Sequence, residues 1–314
     1  MKCNMQDIWR KITSNLWDVA IVTHHNPDGD AIGACFALAH ALYSRGFVPR
    51  VVLDDYSNKF DIVKGKEFVD NSITSYDLVV ALDCGDISRI YDPNGLFANA
   101  KTTINIDHHI SNDSFAMYNY VDANASSTCE LVYDVLEHNI RIDKDMAEAL
   151  YMGIFTDTGG FRYSATSPKT MSIVSSLMER QIDFGAIQEK MMYAKTPAQV
   201  AAFTTALGNL AYIGGNIAYT TLTIEEMAKA GANRGDLQGI VEYLRNIDKV
   251  EIAVFFSELE GGYTRASFRS NGADVNLIAS QFGGGGHKFA AAASFEAPFE
   301  EGVAQVLEVL KNHV

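Results

Sequence analysis

The chain has few cysteines and none of them are paired. Cys3, Cys35, Cys84 and Cys129 lie far apart, with no C-x-x-C motif, which argues against a disulfide framework and favours reduced thiols in a cytosolic protein. Cys3 follows Lys2, the other three have no adjacent basic residue, and all four read as small core residues. Positive charge is scarce as well: 25 Lys and Arg face 39 Asp and Glu, for a formal net charge of −14 and a pI near 4.9. That balance excludes a broad basic surface for long DNA or RNA and makes an anionic membrane an unsuitable partner. Long apolar runs are missing too. The longest, residues 34–43, is interrupted by His40 and is too short to span a bilayer. The N-terminal segment shows no continuous apolar stretch behind a basic start and no small-residue cleavage site, so no signal peptide is expected and the expected location is cytoplasmic. The N-x-S sequons at Asn112 and Asn124 then carry no weight. G-x-S-x-G, H-E-x-x-H and G-x-x-x-x-G-K-[ST] do not occur, which removes the main support for serine-hydrolase, zincin and P-loop chemistry. Internal repeats and low-complexity segments are also lacking.

What is present suffices for a real core: 47% of the residues are hydrophobic and 20% charged. At about 150 residues per domain, the length predicts two domains. Four short apolar, β-branched runs, residues 19–23, 51–53, 78–82 and 102–106, read as buried strands. Between the first two, residues 31–45 are apolar on one face and end at Gly46, the helix-then-glycine pattern of a βαβ unit. Ile8, Trp9, Ile12, Leu16 and Trp17 fit one helix face, as do Leu131, Val132, Val135 and Leu136, then Met146, Ala149, Leu150 and Ile154. The expectation is an α/β protein with a doubly wound, mostly parallel sheet in residues 1–186. A helical linker is expected over 187–210, followed by a smaller α+β domain over 211–314 with strands at 217–222, 250–256 and 264–270.

Each of the first four strand runs ends in acids or imidazoles. His24-His25-Asn26-Pro27-Asp28-Gly29-Asp30 follows the first, Asp54-Asp55 the second, Asp83-Cys84-Gly85-Asp86 the third and Asp107-His108-His109 the fourth, while Asp157 closes a helical stretch. The carboxyl edge of a parallel sheet is where ligands bind in open α/β folds. His24, Asp28, Asp30, Asp83, His108 and Asp157 thus offer two imidazoles and four carboxylates from four segments. If the fold converges them, like-charge repulsion demands cations between the groups. Hard oxygen ligands with a minority of imidazoles suit Mn2+ or Mg2+ better than a thiolate zinc site, and six groups suit two ions if one carboxylate bridges. Singly, each residue has a plainer reading: Asp83 as a turn cap, His24 as a satisfied strand histidine, Asp28-Gly29-Asp30 as an ordinary turn. Their joint placement at successive strand ends favours the metal reading.

The segments HHNPDGDAIGA, ALDCGD, IDHH and TDTGGFR, in that order, resemble the four motifs of the DHH phosphoesterases, and SFRSNG followed by FGGGGH resembles the companion DHHA1 domain. The resemblance covers nearly the whole chain and is strongest to the NrnA-like branch of nanoRNases and pAp phosphatases. It implies a DHH catalytic domain, a DHHA1 substrate-binding domain and two divalent ions, Mn2+ first, with Mg2+ or Co2+ as alternatives. By that resemblance His24, Asp28 and Asp83 hold one ion and Asp30, Asp83, His108 and Asp157 the other, so that Asp83 bridges. The motif places its histidine four residues before the first acid, which selects His24 and leaves His25 on the opposite face of the strand. Asp107 is implied to orient the neighbouring imidazoles and His109 to touch substrate phosphate. Arg269, Ser270, Gly284, Gly285, Gly286 and His287 are implied to bind the rest of the nucleotide. Glycines admit close backbone approach to an anion, although a glycine run is also read as a merely flexible loop. Arg162, near Asp157, is a phosphate candidate or a surface arginine. One departure stands out: Ala290 to Ala293 leads to Ser294, where the family often has glycine. Phe289 and Tyr163 are candidates to stack a base, with core packing the plainer reading.

The implied activity is metal-dependent hydrolysis of very short oligoribonucleotides, including linear dinucleotides such as pGpG and pApA, to mononucleotides, with pAp to AMP as a second reaction. The implied partner is a short RNA or a nucleotide, without a stable long nucleic-acid complex or a membrane; a homodimer stays open. The rivals are a cyclic di-AMP phosphodiesterase, a RecJ-like exonuclease and a pyrophosphatase, the last lacking the glycine-rich C-terminal motif. A rival of another class is a non-catalytic nucleotide-binding regulatory module, which is expected to lack one or more of the six ligands.

Overall fold

In the computed structural model, which describes residues 1–14 and 18–311, the four expected apolar runs are strands of one sheet. The first unit, Met1–Ala194, runs α1 (Met5–Thr13), β1 (Val19–Val22), α2 (Gly29–Ser44), β2 (Arg50–Val52), β3 (Leu78–Leu82), α3 (Leu96–Asn99), β4 (Thr102–Asp107), β5 (Tyr118–Val121), α4 (Thr128–Glu137), α5 (Lys144–Asp157), α6 (Pro168–Met178) and α7 (Phe184–Gln188). The strands lie in the order β2-β1-β3-β4-β5, all parallel. The chain leaves β1 toward one side for β2 and returns to its other side for β3. The carboxyl ends of β1 and β3 therefore flank a topological switch point, the place where such sheets bind ligands. β5, a half-exposed edge strand of sequence YNYV, was not expected.

The alternation of strand side chains builds two cores. Ile21, Val80, Leu82 and Ile104 join the large core with α1, α2, α4 and α5. Val22, Val79 and Ala81 face a smaller cluster with Leu96 and Phe97 of α3. Of the N-terminal helix face, Ile8, Trp9 and Ile12 are buried, whereas Leu16 and Trp17 lie outside the described residues. α2 departs from the one-sided apolar helix that was expected. It is buried from Gly29 through Ala39 because the sheet, α4 and α5 enclose it. Small residues permit that approach: a Cβ on Gly33 would stand 2.4 Å from the Ala149 carbonyl oxygen, and one on Gly153 2.2 Å from Cys129 Sγ.

The second unit, Lys195–Val314, runs α8 (Pro197–Gly208), β6 (Ala211–Ile213), β7 (Ile217–Leu222), α9 (Ile224–Lys229), α10 (Ile240–Arg245), β8 (Ile252–Leu259), β9 (Tyr263–Ser270), α11 (Val275–Ser280), β10 (Gly285–His287), β11 (Ala290–Glu296) and α12 (Phe299–Lys311). Its sheet has the order β10-β11-β9-β8-β7-β6 and is antiparallel apart from the β7–β8 pair. Residues 187–210 hold the end of α7 and the whole of α8. Ile187 is part of the first core, whereas Ala202 and Ala206 of α8 are buried with Ala218 and Leu222 of β7. Along β9 burial alternates strictly: Thr264, Ala266, Phe268 and Ser270 are buried while Tyr263, Arg265, Ser267 and Arg269 are half-exposed. Among the described residues no helix is long and apolar enough to cross a membrane.

Candidate metal centre

The acids and imidazoles at the carboxyl edge of the first sheet converge. Ligand atoms of His24, Asp28 and Asp83 lie within 4.8 Å of one another, as do those of Asp30, His108 and Asp157, and those of Asp83, His108 and His109. Asp83 is common to the first and third groups and turns a different oxygen to each side. Its Oδ2 lies 3.6 Å from His24 Nε2 and its Oδ1 3.6 Å from His108 Nε2. His108 Nε2 also stands 3.5 Å from Asp157 Oδ2. Asp83 holds this position with a left-handed backbone, φ 59°, an uncommon conformation outside glycine that re-aims the side chain at the strand end.

Local structure sets each ligand. Asp28 caps α2, its Oδ1 accepting the N–H groups of Asp30 and Ala31, which leaves Oδ2 for the centre. His24 places Nδ1 2.8 Å from the His25 carbonyl oxygen, so a proton on Nδ1 donates there and Nε2 keeps its lone pair for a cation. His25 itself is exposed and turns away, with Nδ1 3.0 Å from Asp54 Oδ2. His109 Nδ1 lies 2.7 Å from Asp107 Oδ1, and Asp107 is fully buried. His108 instead has its Nδ1 3.4 Å from the Ala125 carbonyl oxygen, so Asp107 orients one of the two imidazoles.

Three supporting residues had no signal that sequence reading picked up. The N-terminus of α4 receives Asp30: Thr128 N–H donates to Oδ2 at 2.6 Å and Cys129 N–H to Oδ1 at 2.9 Å. The Thr128 hydroxyl donates to Asp83 Oδ1 at 2.9 Å. Asn112, noticed only as a sequon, donates through Nδ2 to Asp107 Oδ2 at 2.6 Å, to Asn105 Oδ1 and to the Cys84 carbonyl.

The electrostatics are those of a site short of positive charge. Burial, then the Asp83, Asp157 and Asp28 carboxylates, pushes the Asp30 carboxyl well above the ordinary aspartate range. Desolvation and Asp83 raise Asp28, and desolvation raises Asp157 to about 6, with His108 opposing. Asp83 is the exception: His24, His108 and His109 outweigh its burial and hold it below the usual value. The hydrogen bond to Asp107, ahead of a counteracting burial, raises His109. Four carboxylates with two imidazole nitrogens form a hard, oxygen-rich donor set that fits divalent cations of the Mn2+ or Mg2+ type.

Of the remaining expected site residues, Arg162 belongs to the first unit and those from Arg269 to His287 to the second. Arg162 is exposed, with Nε donating to the Gly159 carbonyl at 2.8 Å. Arg269 is half-exposed on β9, whereas Ser270 is 3% exposed on the other face and its hydroxyl accepts the Gly272 N–H. The end of the glycine run lies in a strand: Gly285, Gly286 and His287 pair with Ala292, Ala291 and Ala290, while Gly283 sits in a turn before it. Glycine is needed there for proximity, since a Cβ on Gly284 would meet the Ala292 carbonyl oxygen at 2.2 Å and one on Gly286 the Ala290 oxygen at 2.4 Å. His287 is exposed on this edge. Phe289 and Tyr163, for which core packing was the plainer reading, are 47% and 51% exposed.

Comparison with known proteins places the chain in a family. The model of the DHH family, N-terminal domain, matches residues 18–154 and that of the DHHA1 domain residues 214–314. The probable bifunctional oligoribonuclease and PAP phosphatase NrnA of Streptococcus mutans is 30% identical over 300 residues, covering 94% of this chain and 95% of that protein. The bifunctional oligoribonuclease and PAP phosphatase NrnA of Thermus thermophilus is 28% identical over 94% of this chain and 90% of its own. A crystal structure of an exopolyphosphatase-related protein from Bacteroides fragilis superposes with a TM-score of 0.88 at 29% identity, covering 98% of this chain and 96% of that one. With its DHH and DHHA1 domains, its NrnA-named relatives and its convergent acids and imidazoles, the chain belongs to the DHH phosphoesterase family, in the NrnA-like branch, and is a hydrolase.

Proposed function

We propose that the chain is a two-metal phosphodiesterase that releases mononucleotides from very short oligoribonucleotides and linear dinucleotides such as pGpG and pApA, and that it also converts pAp to AMP. The observation that carries this reading is Asp83, whose two oxygens serve two ligand groups. His24, Asp28 and Asp83 would hold one ion and Asp30, Asp83, His108 and Asp157 the other, with Mn2+ the favoured metal. When bound, such ions lower the pKa of a water nucleophile and neutralise charge on the phosphoryl oxygens.

The chain's own residues supply position and protons. His109, with Nδ1 fixed on buried Asp107, has Nε2 left to donate to a phosphate oxygen, and its raised pKa favours the protonated form. The amides of α4 keep Asp30 from rotating, and Thr128 does the same for Asp83. A formal charge of −14 disfavours a long polyanion, so the reading favours a substrate short enough to be held by local contacts alone.

The test is to incubate the purified chain with pGpG, pApA, pAp and a long single-stranded RNA under Mn2+ or Mg2+. Hydrolysis of the short substrates, with the long RNA turned over poorly, is expected. Failure to hydrolyse any short substrate with either ion would overturn the reading.

A further inference from the structure

α4 carries a buried acid that takes no part in the ligand groups described above. Glu130 is 1% exposed, and it follows Thr128 and Cys129, the residues whose donors reach Asp30 and Asp83. The sequence Ser127-Thr128-Cys129-Glu130 has the form of a capping box, in which the acid folds back onto its own helix start. Ser127 plays its part, its hydroxyl accepting the Glu130 N–H at 3.1 Å. The Glu130 carboxylate is used differently. Its Oε2 accepts the Ser126 hydroxyl at 2.7 Å and the Thr170 hydroxyl of α6 at 2.8 Å, while its Oε1 lies 3.2 Å from Lys169 Nζ.

These partners are themselves held. Thr170 is fully buried and its Oγ1 accepts the Ser167 N–H at 3.2 Å, which leaves the hydroxyl proton for Glu130. Lys169 also donates to Asp134 Oδ2 at 2.7 Å, one turn further along α4. Against the cost of burial, the bonds to Asp134 and then Glu130 push its ammonium up to about 12. A buried carboxylate is costly without such donors, so the cluster ties the start of α4 to the start of α6. Residues 126 and 130 are thereby pinned to one carboxylate, and between them lie the three donors of the centre. The Thr128 and Cys129 N–H groups hold Asp30, and the Thr128 hydroxyl holds Asp83. A segment fixed at both ends has little freedom to re-aim what it carries.

We propose that Glu130 is a positioning residue of the metal centre: by joining Ser126 to Thr170 it fixes the turn from which Thr128 and Cys129 aim their donors at Asp30 and Asp83. The inference rests on reading those acids as metal ligands. The hold of Glu130 on the turn does not, and it is measurable without metal.

The test uses the full chain. Glu130→Gln keeps the shape but sets an amide NH2 where either the two hydroxyls or the Lys169 ammonium needs an acceptor. Its Mn2+ affinity by calorimetry is expected to fall about tenfold. Thr170→Val is expected to move the same way, with Thr170→Ser, which keeps the hydroxyl, close to the unaltered chain. Melting curves establish that each variant is folded at the temperature of the titration. Turnover of pGpG should need more Mn2+ and return to the unaltered value at saturation, which a general loss of folding would not allow. Thr128→Val combined with Glu130→Gln should lose less affinity than the product of the separate losses, because both act through the same donors. In EDTA, hydrogen exchange at the Thr128 and Cys129 amides should be faster in Glu130→Gln.

Unchanged Mn2+ affinity in both Glu130→Gln and Thr170→Val overturns the inference, as do losses that multiply in the double variant. Thr170→Val decides the matter where Glu130→Gln does not fold. An unaltered chain that binds no Mn2+, with these amides still opening faster in Glu130→Gln, refutes the metal reading while supporting the hold of Glu130 on the turn.

Discussion

The Thr128 hydroxyl donates to Asp83 Oδ1 at 2.9 Å, joining the first residue of α4 to the carboxylate shared between ligand groups. The Thr128 N–H meanwhile holds Asp30. One residue thereby restrains two acids that would otherwise repel each other, and their separation is set before any cation arrives. Thr128→Val removes the hydroxyl and keeps the shape and the amide. Metal affinity is expected to fall about 10- to 100-fold, with Thr128→Ser close to the unaltered chain, as read by Mn2+ titration. Equal affinity in the valine variant would mean that the hydroxyl positions nothing.

Asp83 divides its oxygens between His24 and His108, so its loss should reach both ligand groups. Asp83→Ala is expected to abolish binding of both ions and nearly all turnover, whereas Asp157→Ala is expected to retain one ion. Arg269→Ala, remote in sequence and chemistry from these carboxylates, should chiefly raise KM. Metal stoichiometry by mass spectrometry of the native protein distinguishes these outcomes, and an Asp83→Ala variant that keeps normal activity refutes the bridge.

The strands and the acids that end them were legible because both are local signals. A β-branched run that stops at an acid marks a strand end wherever it occurs, and here four such ends share one edge. Other parts depend on tertiary context. Ser127-Thr128 followed by Glu130 reads as an ordinary helix start, and Ser127 does cap the Glu130 N–H. That the next amides point at Asp30, far back in the chain, is a property of the packed fold. β5 was missed because an edge strand with half-exposed tyrosines has little apolar pattern. The glycine run looked like a loop because glycine carries no strand signal. Its role as β10 follows from backbone proximity to β11. Ser270 reads as a partner of Arg269 in sequence, yet strand alternation sends adjacent side chains to opposite faces.

Gly33 supplies a test of how packing controls the centre. A methyl there would stand 2.4 Å from the Ala149 carbonyl oxygen, which belongs to a helix backbone that cannot rotate aside. Gly33→Ala must push α2 from α5, and these helices carry Asp30 and Asp157. A loss of about 1–3 kcal/mol is expected, with weaker Mn2+ binding, measured by denaturant unfolding and metal titration. Unchanged stability would show that the two helices yield without cost.

The crowded carboxylates also predict an inverted pH dependence in the absence of metal. Asp28 and Asp30 are raised above the ordinary aspartate value of 3.8, and Asp157 is raised from it to about 6. A group whose folded pKa exceeds its unfolded pKa binds protons more tightly when folded. Its stabilising contribution is complete below the unfolded value and is lost as pH rises through the folded one. His24 and His109, raised from 6.5, act in the same direction at higher pH. Asp83, whose folded pKa is lowered from 3.8, loses its contribution only in more acidic solution. In EDTA the chain should therefore become less stable between about pH 5 and pH 8. Asp157 alone would account for about 1–2 kcal/mol after allowance for its partial exposure. Mn2+ reverses the trend, because it binds the ionised carboxylates and its stabilisation grows with pH. Thermal melts at both ends of this range, with and without Mn2+, test the argument. A melting temperature in EDTA that rises toward pH 8 would show that the acids are not held together in the metal-free fold.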